Sequence, residues 1–173
     1  MADLVVMKAE DMEWIPYDSS DFPEHSDKKD TFTADASAEK AVDTAAVARA
    51  AGQCTNNTGE AIAVYGPKSP NDTSRFENSM YRLPAGMTTP NGWDCDGFFV
   101  PNDRVASQAA SDVQGPCAIK YFSIISWTVT KSGNKYNCPL NQGLFRPSEV
   151  CCPSNYPRCV CWAIPNVPQS RIG

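Results

Sequence analysis

A mainly β fold, in the form of a small disulfide-stapled antiparallel sandwich or partly open barrel, is what this sequence predicts. Three observations carry that expectation. From residue 53 onward, short apolar runs with a period of two alternate with Gly, Pro, Asn and Asp, the pattern of strands joined by tight turns. All eight cysteines, Cys54, Cys95, Cys117, Cys138, Cys151, Cys152, Cys159 and Cys161, lie in the same stretch, a density suited to a small domain whose core needs crosslinks. The 14 Pro and 10 Gly among 173 residues disfavour a helical bundle, and the length corresponds to one domain with an appendage.

The appendage comes first. Residues 1–34 place carboxylates between isolated large apolar residues, Trp14, Ile15, Tyr17, Phe22 and Phe32, without a helical or strand period. They read as an extended acidic arm. Residues 1–40 hold eleven carboxylates against four lysines, a local balance of −7 within a net charge of −5. Spaced aromatics are more apolar than a solvating tail requires, so ordering against a partner or against its own domain competes with a solvated tail.

Residues 35–52 form an Ala-rich helix by prediction. Asp35 or Ser37 supplies the N-cap, Glu39 and Arg49 suit the helix dipole, and Gly52 is the stop. Val42 and Val47 are five apart and fall on different faces, so the helix has little to bury.

Residues 53–165 are the cysteine-rich β domain, and 166–173 a C-terminal tail. Strands are expected at Ala61 to Tyr65, Met80 to Leu83, Gly97 to Val100 and Gly143 to Phe145. Cys117 to Val129 reads as one long strand with Cys117, Ile119, Tyr121, Ile125, Trp127 and Val129 on one side. Ser132-Gly133-Asn134 supplies a tight turn, making Thr128 to Cys138 a hairpin. Arg158 to Ile164 offers a last strand.

Vicinal Cys151 and Cys152 point to opposite sides of an extended backbone, and Cys159 and Cys161 share a face one residue apart, so bonds within either pair are disfavoured. These four are expected to staple the C-terminal segment to Cys54, Cys95, Cys117 and Cys138, or to pair among themselves across the two groups. Zinc knuckles need C-x2-4-C spacing, which is absent, and the single histidine, His25, lies in the arm. No cofactor is expected. Persistent disulfides imply an oxidising location, secreted or on a particle surface.

The charge pattern argues against nucleic acid as a partner, because the basic residues beyond the arm are dispersed. No run reaches the roughly 20 apolar residues of a membrane span. Leu4 to Met7 are followed at once by Lys8, Glu10, Asp11 and Glu13, which does not read as a secretory signal. Export by a dedicated machine or release with a particle is expected instead. Two Asn-X-Thr sequons, at Asn56 and Asn71, fall in predicted surface turns.

The densest polar constellation runs from Pro90 to Arg104. Asp94, Asp96 and Asp103 mimic part of a calcium loop, although Gly92 stands where its first ligand belongs. The same aspartates are the candidate acid and base of a hydrolase or transferase, with Arg82 or Arg104 holding an anion and Tyr81 positioning substrate. Trp93, Phe98, Phe99 and Arg104 are the candidate binding residues, against a default of core packing for the aromatics. Cys54, after the predicted helix, is placed where the dipole would oppose a thiolate, so it reads as a half-cystine and not a nucleophile.

The leading expectation is an exported effector or toxin-like protein that binds an extracellular or periplasmic protein, glycan or surface target. The alternative is a structural component of a virion, filament or coat, its arm contacting a neighbouring subunit; in the first case the arm would serve export, through an export chaperone, or chaperoning or self-masking. A carboxylate-based hydrolase or transferase is the second alternative, and the signals lean towards binding over catalysis.

Overall fold

The computed structural model describes residues 5–17, 21, 52–73, 76, 78–107, 111–121, 126–137, 142–145 and 162–173. The expected helix before Gly52, His25, and Cys138, Cys151, Cys152, Cys159 and Cys161 lie outside the described residues.

The protein is mainly β. In chain order the strands are β1 (Val5–Val6), β2 (Glu13–Trp14), β3 (Cys54–Asn57), β4 (Ile62–Gly66), β5 (Ser79–Leu83), β6 (Met87–Thr88) and β7 (Gly97–Val100). They continue with β8 (Val105–Ser107), β9 (Asp112–Gln114), β10 (Cys117–Tyr121), β11 (Trp127–Ser132), β12 (Lys135–Asn137) and β13 (Gln142–Phe145). Two sheets result, ordered β1-β6-β3-β11-β12-β8-β9 and β13-β10-β7-β4-β5-β2.

The second sheet is antiparallel throughout. Its strands β4 and β7 are buried on both faces, which is why they read as continuous apolar runs. Ile62, Val64, Leu83, Phe98, Val100 and Ile119 face the first sheet and meet Cys54, Ala106, Trp127, Val129 and Tyr136 there. Ala63, Tyr65, Met80, Phe99 and Ala118 face the other way and are covered by Trp162, Ala163, Ile164, Val167 and Ile172. Residues 162–168 do this without regular structure, so the part of the predicted strand Arg158 to Ile164 that is described is a buried coil. Tyr65 Oη donates to the Ala163 carbonyl and fixes that coil to the sheet.

The first sheet mixes antiparallel with parallel pairings. The parallel pairs are β1 with β6, β3 with β11, and β8 with β12. Parallel neighbours cannot be joined by a hairpin, and here the chain builds much of the second sheet between β3 and β11. The predicted hairpin is present as β11 and β12, with Ser132 opposite Lys135 and Gly133 at φ 64° in the turn, the left-handed region that glycine adopts without strain. The expected single strand from Cys117 to Val129 is instead two strands in different sheets. Cys117, Ile119, Trp127 and Val129 still share one core, because each strand points its odd-numbered residues between the sheets.

Residues 5–17 lie on their own domain. Only six residues separate β1 from β2, so the edges they cover, β6 of the first sheet and β5 of the second, belong to one flank. Met12, 9% exposed, enters the core there, with Met7 and Trp14 packed beside it. Covering edge strands in this way removes a template for unwanted pairing.

Cys54, opening β3, is bonded to Cys95, in the loop before β7, with Cα atoms 6.1 Å apart. The two therefore crosslink the first sheet to the second and are not partners of the C-terminal cysteines. Closing a loop of this size contributes about 2–4 kcal/mol.

Candidate functional site

The predicted polar constellation is dispersed by the fold. Asp94 and Asp96 precede β7, whereas Asp103 follows it, so the strand's length of about 13 Å separates them. Asp94 is half-buried; burial pushes its carboxyl pKa up, against the opposing charge of Lys120. With its amide turned so that both ends find partners, Asn78 donates to Asp96 Oδ2 (3.0 Å) and accepts from Trp162 Nε1 (2.9 Å). Lys120, 5% exposed, holds its ammonium 5.2 Å from the centre of the Trp162 ring. Asp103 Oδ1 accepts from the Gln169 backbone N–H (2.9 Å), and its other oxygen pairs with Arg104 Nη1 (3.3 Å). Among the described residues no three His, Cys, Asp or Glu side chains group to hold a metal ion.

Tyr81 and Arg82 are successive residues of β5 and point to opposite faces. Tyr81 Oη donates to the Pro67 carbonyl (2.6 Å), and Arg82 Nε donates to the Ile172 carbonyl (3.0 Å). Substrate positioning and anion binding by this pair would need them on one side. The aromatic candidates are core residues: Phe98 and Phe99 have no exposed surface and Trp93 is 9% exposed. Trp93 stacks edge-on against Tyr81 at 5.0 Å and leans on Gly66, where an added Cβ would sit 2.1 Å from the indole.

Arg104 is committed to a carboxylate that the sequence does not advertise. Glu60 Oε2 and Oε1 accept from its Nε and Nη2, each at 2.9 Å, and the same carboxylate accepts from Lys131 Nζ (3.1 Å) and Tyr136 Oη (2.6 Å). Burial would raise the Glu60 pKa, but these hydrogen bonds outweigh it and hold it at about 2. A carboxylate so placed is ionised and saturated, suited to tying elements together and unsuited to proton transfer near neutrality. Its partners lie 44 to 76 residues away in sequence, so no local pattern reveals it.

A concave feature of the described surface is formed by segments from both ends of the chain. Ile15, Pro16 and Tyr17 of the arm, Met80 of β5, Pro165, and Val167 and Ile172 of the tail line a cleft of about 240 Å³. Asp21 and Arg171 complete it and are paired there, Nη2 to Oδ2 at 3.1 Å and Nη1 to Oδ1 at 3.3 Å. The Asp21 carbonyl also accepts from the Asn166 N–H (2.7 Å), which joins arm to tail. An apolar wall beside one ion pair can seat an apolar group that carries a polar end. Comparison with protein-family models, with curated proteins and with solved structures returned no match.

Proposed function

We propose that the protein is an exported binding protein of effector or toxin type, engaging a target outside the cytoplasm of the cell that makes it. The cleft between arm and tail carries the reading. Its apolar walls suit the insertion of a side chain from a protein target, with the Asp21–Arg171 pair beside it to orient polar groups. The buried Cys54–Cys95 crosslink suits an oxidising location, and no helix among the described residues is long and apolar enough to cross a membrane.

The test is saturable binding of labelled, oxidised protein to intact target cells. Pro16→Arg, which obstructs the cleft from an exposed position, should abolish binding. Thr128→Arg, on the outer face of the first sheet, should leave it unchanged. Equal binding by both variants would remove the cleft from the reading, and binding that survives protease treatment of the cells but not glycosidase treatment would move the target to a glycan.

A second reading, a structural component of a virion, filament or coat, is favoured by the way residues 5–17 attach through strand addition to both sheets. It expects immunolabelling to find the chain in an assembled particle.

A further inference from the structure

Residues 5–17 hold to the domain as a separate peptide would. Their backbone contacts are strand-like: Val5 N donates to Gly86 O (3.3 Å), Met7 N to Thr88 O (2.9 Å) and Ile15 N to Met80 O (2.8 Å). Their side chains supply anchors, Met12 in the core between the sheets and Ile15 and Tyr17 on the far face of the second sheet. The receptor is one continuous track along the flank, from the edge of β6 to the edge of β5.

Thirty residues, 22–51, separate Asp21 from Gly52 in the sequence. A chain of that length reaches up to about 100 Å when extended, and about 70 Å with the expected helix over 35–52 formed, in either case more than the roughly 40 Å diameter of a domain of this size. Covalent attachment therefore permits the arm to reach the track on a neighbouring copy as well as its own. A second observation sits on the same flank. Among the described residues the large apolar side chains left exposed are Val5 and Val6, at 52% and 47%, both on β1 at the sheet edge, so this end of the arm is held by few side-chain contacts.

We propose that this flank is an interaction surface for the arm of a second copy of the chain, so that copies held close together exchange the arm, through Asp21, reciprocally. The exchange deepens the structural-component reading. Closed and exchanged forms make the same arm contacts, so the balance follows the effective concentration of the tethered arm, on the order of millimolar. At about 10 μM the closed form prevails by roughly a hundredfold; at millimolar density, as in a packed assembly, the two are comparable.

The test uses the full chain with Glu13, which lies opposite Arg82, replaced by the photo-crosslinker p-benzoylphenylalanine. Light and heavy nitrogen-labelled protein are mixed equally, refolded together with disulfides oxidised, equilibrated at about 10 μM or about 2 mM, and irradiated. Crosslinks from residue 13 to the peptide containing Arg82 should be like-labelled at the lower concentration and about one quarter mixed-label at the higher. Mixed labels at both concentrations also support exchange. Like-labelled crosslinks alone at both, mixed crosslinks landing elsewhere, or no crosslink to the Arg82 peptide would overturn it. Immunolabelling of assembled particles tests the structural reading separately: exchange without a labelled particle sinks that reading alone, and a labelled particle without exchange sinks only the exchange.

Discussion

Glu60 and Arg104 meet through two parallel hydrogen bonds of 2.9 Å each, and this ion pair joins the two sheets. Glu60 leads into β4 of the second sheet, while Arg104 leads into β8 of the first, with Lys131 on β11 and Tyr136 on β12 as further donors. Bidentate geometry and partial burial, with 16% of the Glu60 and 18% of the Arg104 side chain exposed, make it stronger than a surface pair.

The pair gives a pH dependence with a defined sign. The Glu60 carboxyl is held at about 2 against an ordinary value of 4.5, so its contribution is complete above the unfolded value and is lost as pH falls from about 4.5 through about 2. The amount is on the order of 3 kcal/mol. Urea unfolding of the parent chain and of Glu60→Gln should differ by about that much at neutral pH and converge near pH 2. Parallel curves across the range would show that the carboxylate's charge is not what its four donors stabilise.

The Cys54–Cys95 bond predicts a thermal effect. Replacing both residues by alanine should lower the melting temperature by about 5–15 °C, from about 2–4 kcal/mol of lost constraint. Calorimetry of parent and variant without reductant measures it. An unchanged melting temperature would mean that core packing alone holds β3 against β7.

Gly66 and Trp93 form a lock that a methyl group should spoil. An added Cβ at Gly66 would lie 2.1 and 2.2 Å from indole carbons, so Gly66→Ala should cost about 1–3 kcal/mol by overpacking. Trp93→Leu alone leaves a cavity, and the double variant should be less destabilised than the two single costs added. Additive costs in chemical unfolding would show that the indole has room to move.

The two sequons should behave differently in a eukaryotic secretory host. Asn56 has no exposed surface, and its amide donates to the Glu60 and Leu83 carbonyls at 2.7 and 2.8 Å while accepting from Thr58. Asn71 and Thr73 are exposed. One glycan at Asn71, removed by Asn71→Gln and unaffected by Asn57→Ala, is the expected result by endoglycosidase shift and peptide mass. Occupancy at Asn56 would require the β3 turn to open.

Much of the architecture was legible because period-two patterning reports two-sheet burial directly. Gly97 to Val100 matches β7, and the turn chemistry at Gly133 placed the hairpin. Strand pairing was not legible. The run from Cys117 to Val129 keeps its alternation across a change of sheet, so periodicity cannot show the break. Trp162 to Ile164 is apolar because it covers a sheet face, a role that needs no strand. The site fared worse, since Glu60 and Arg104, and Asp21 and Arg171, are partners only through long-range topology, whereas Asp94 and Asp103, close in sequence, are parted by a strand.

The parallel pairing of β3 with β11 imposes an order of events on a chain that emerges from its N-terminal side. Trp127 appears 73 residues after its partner Cys54, a wait of several seconds at ordinary rates of synthesis. Cys95 appears 41 residues after Cys54, well inside that interval. Oxidation can thus tether β3 as a placeholder before its neighbour exists, and an oxidant present during emergence should raise the yield of correctly folded protein more than the same oxidant supplied afterwards.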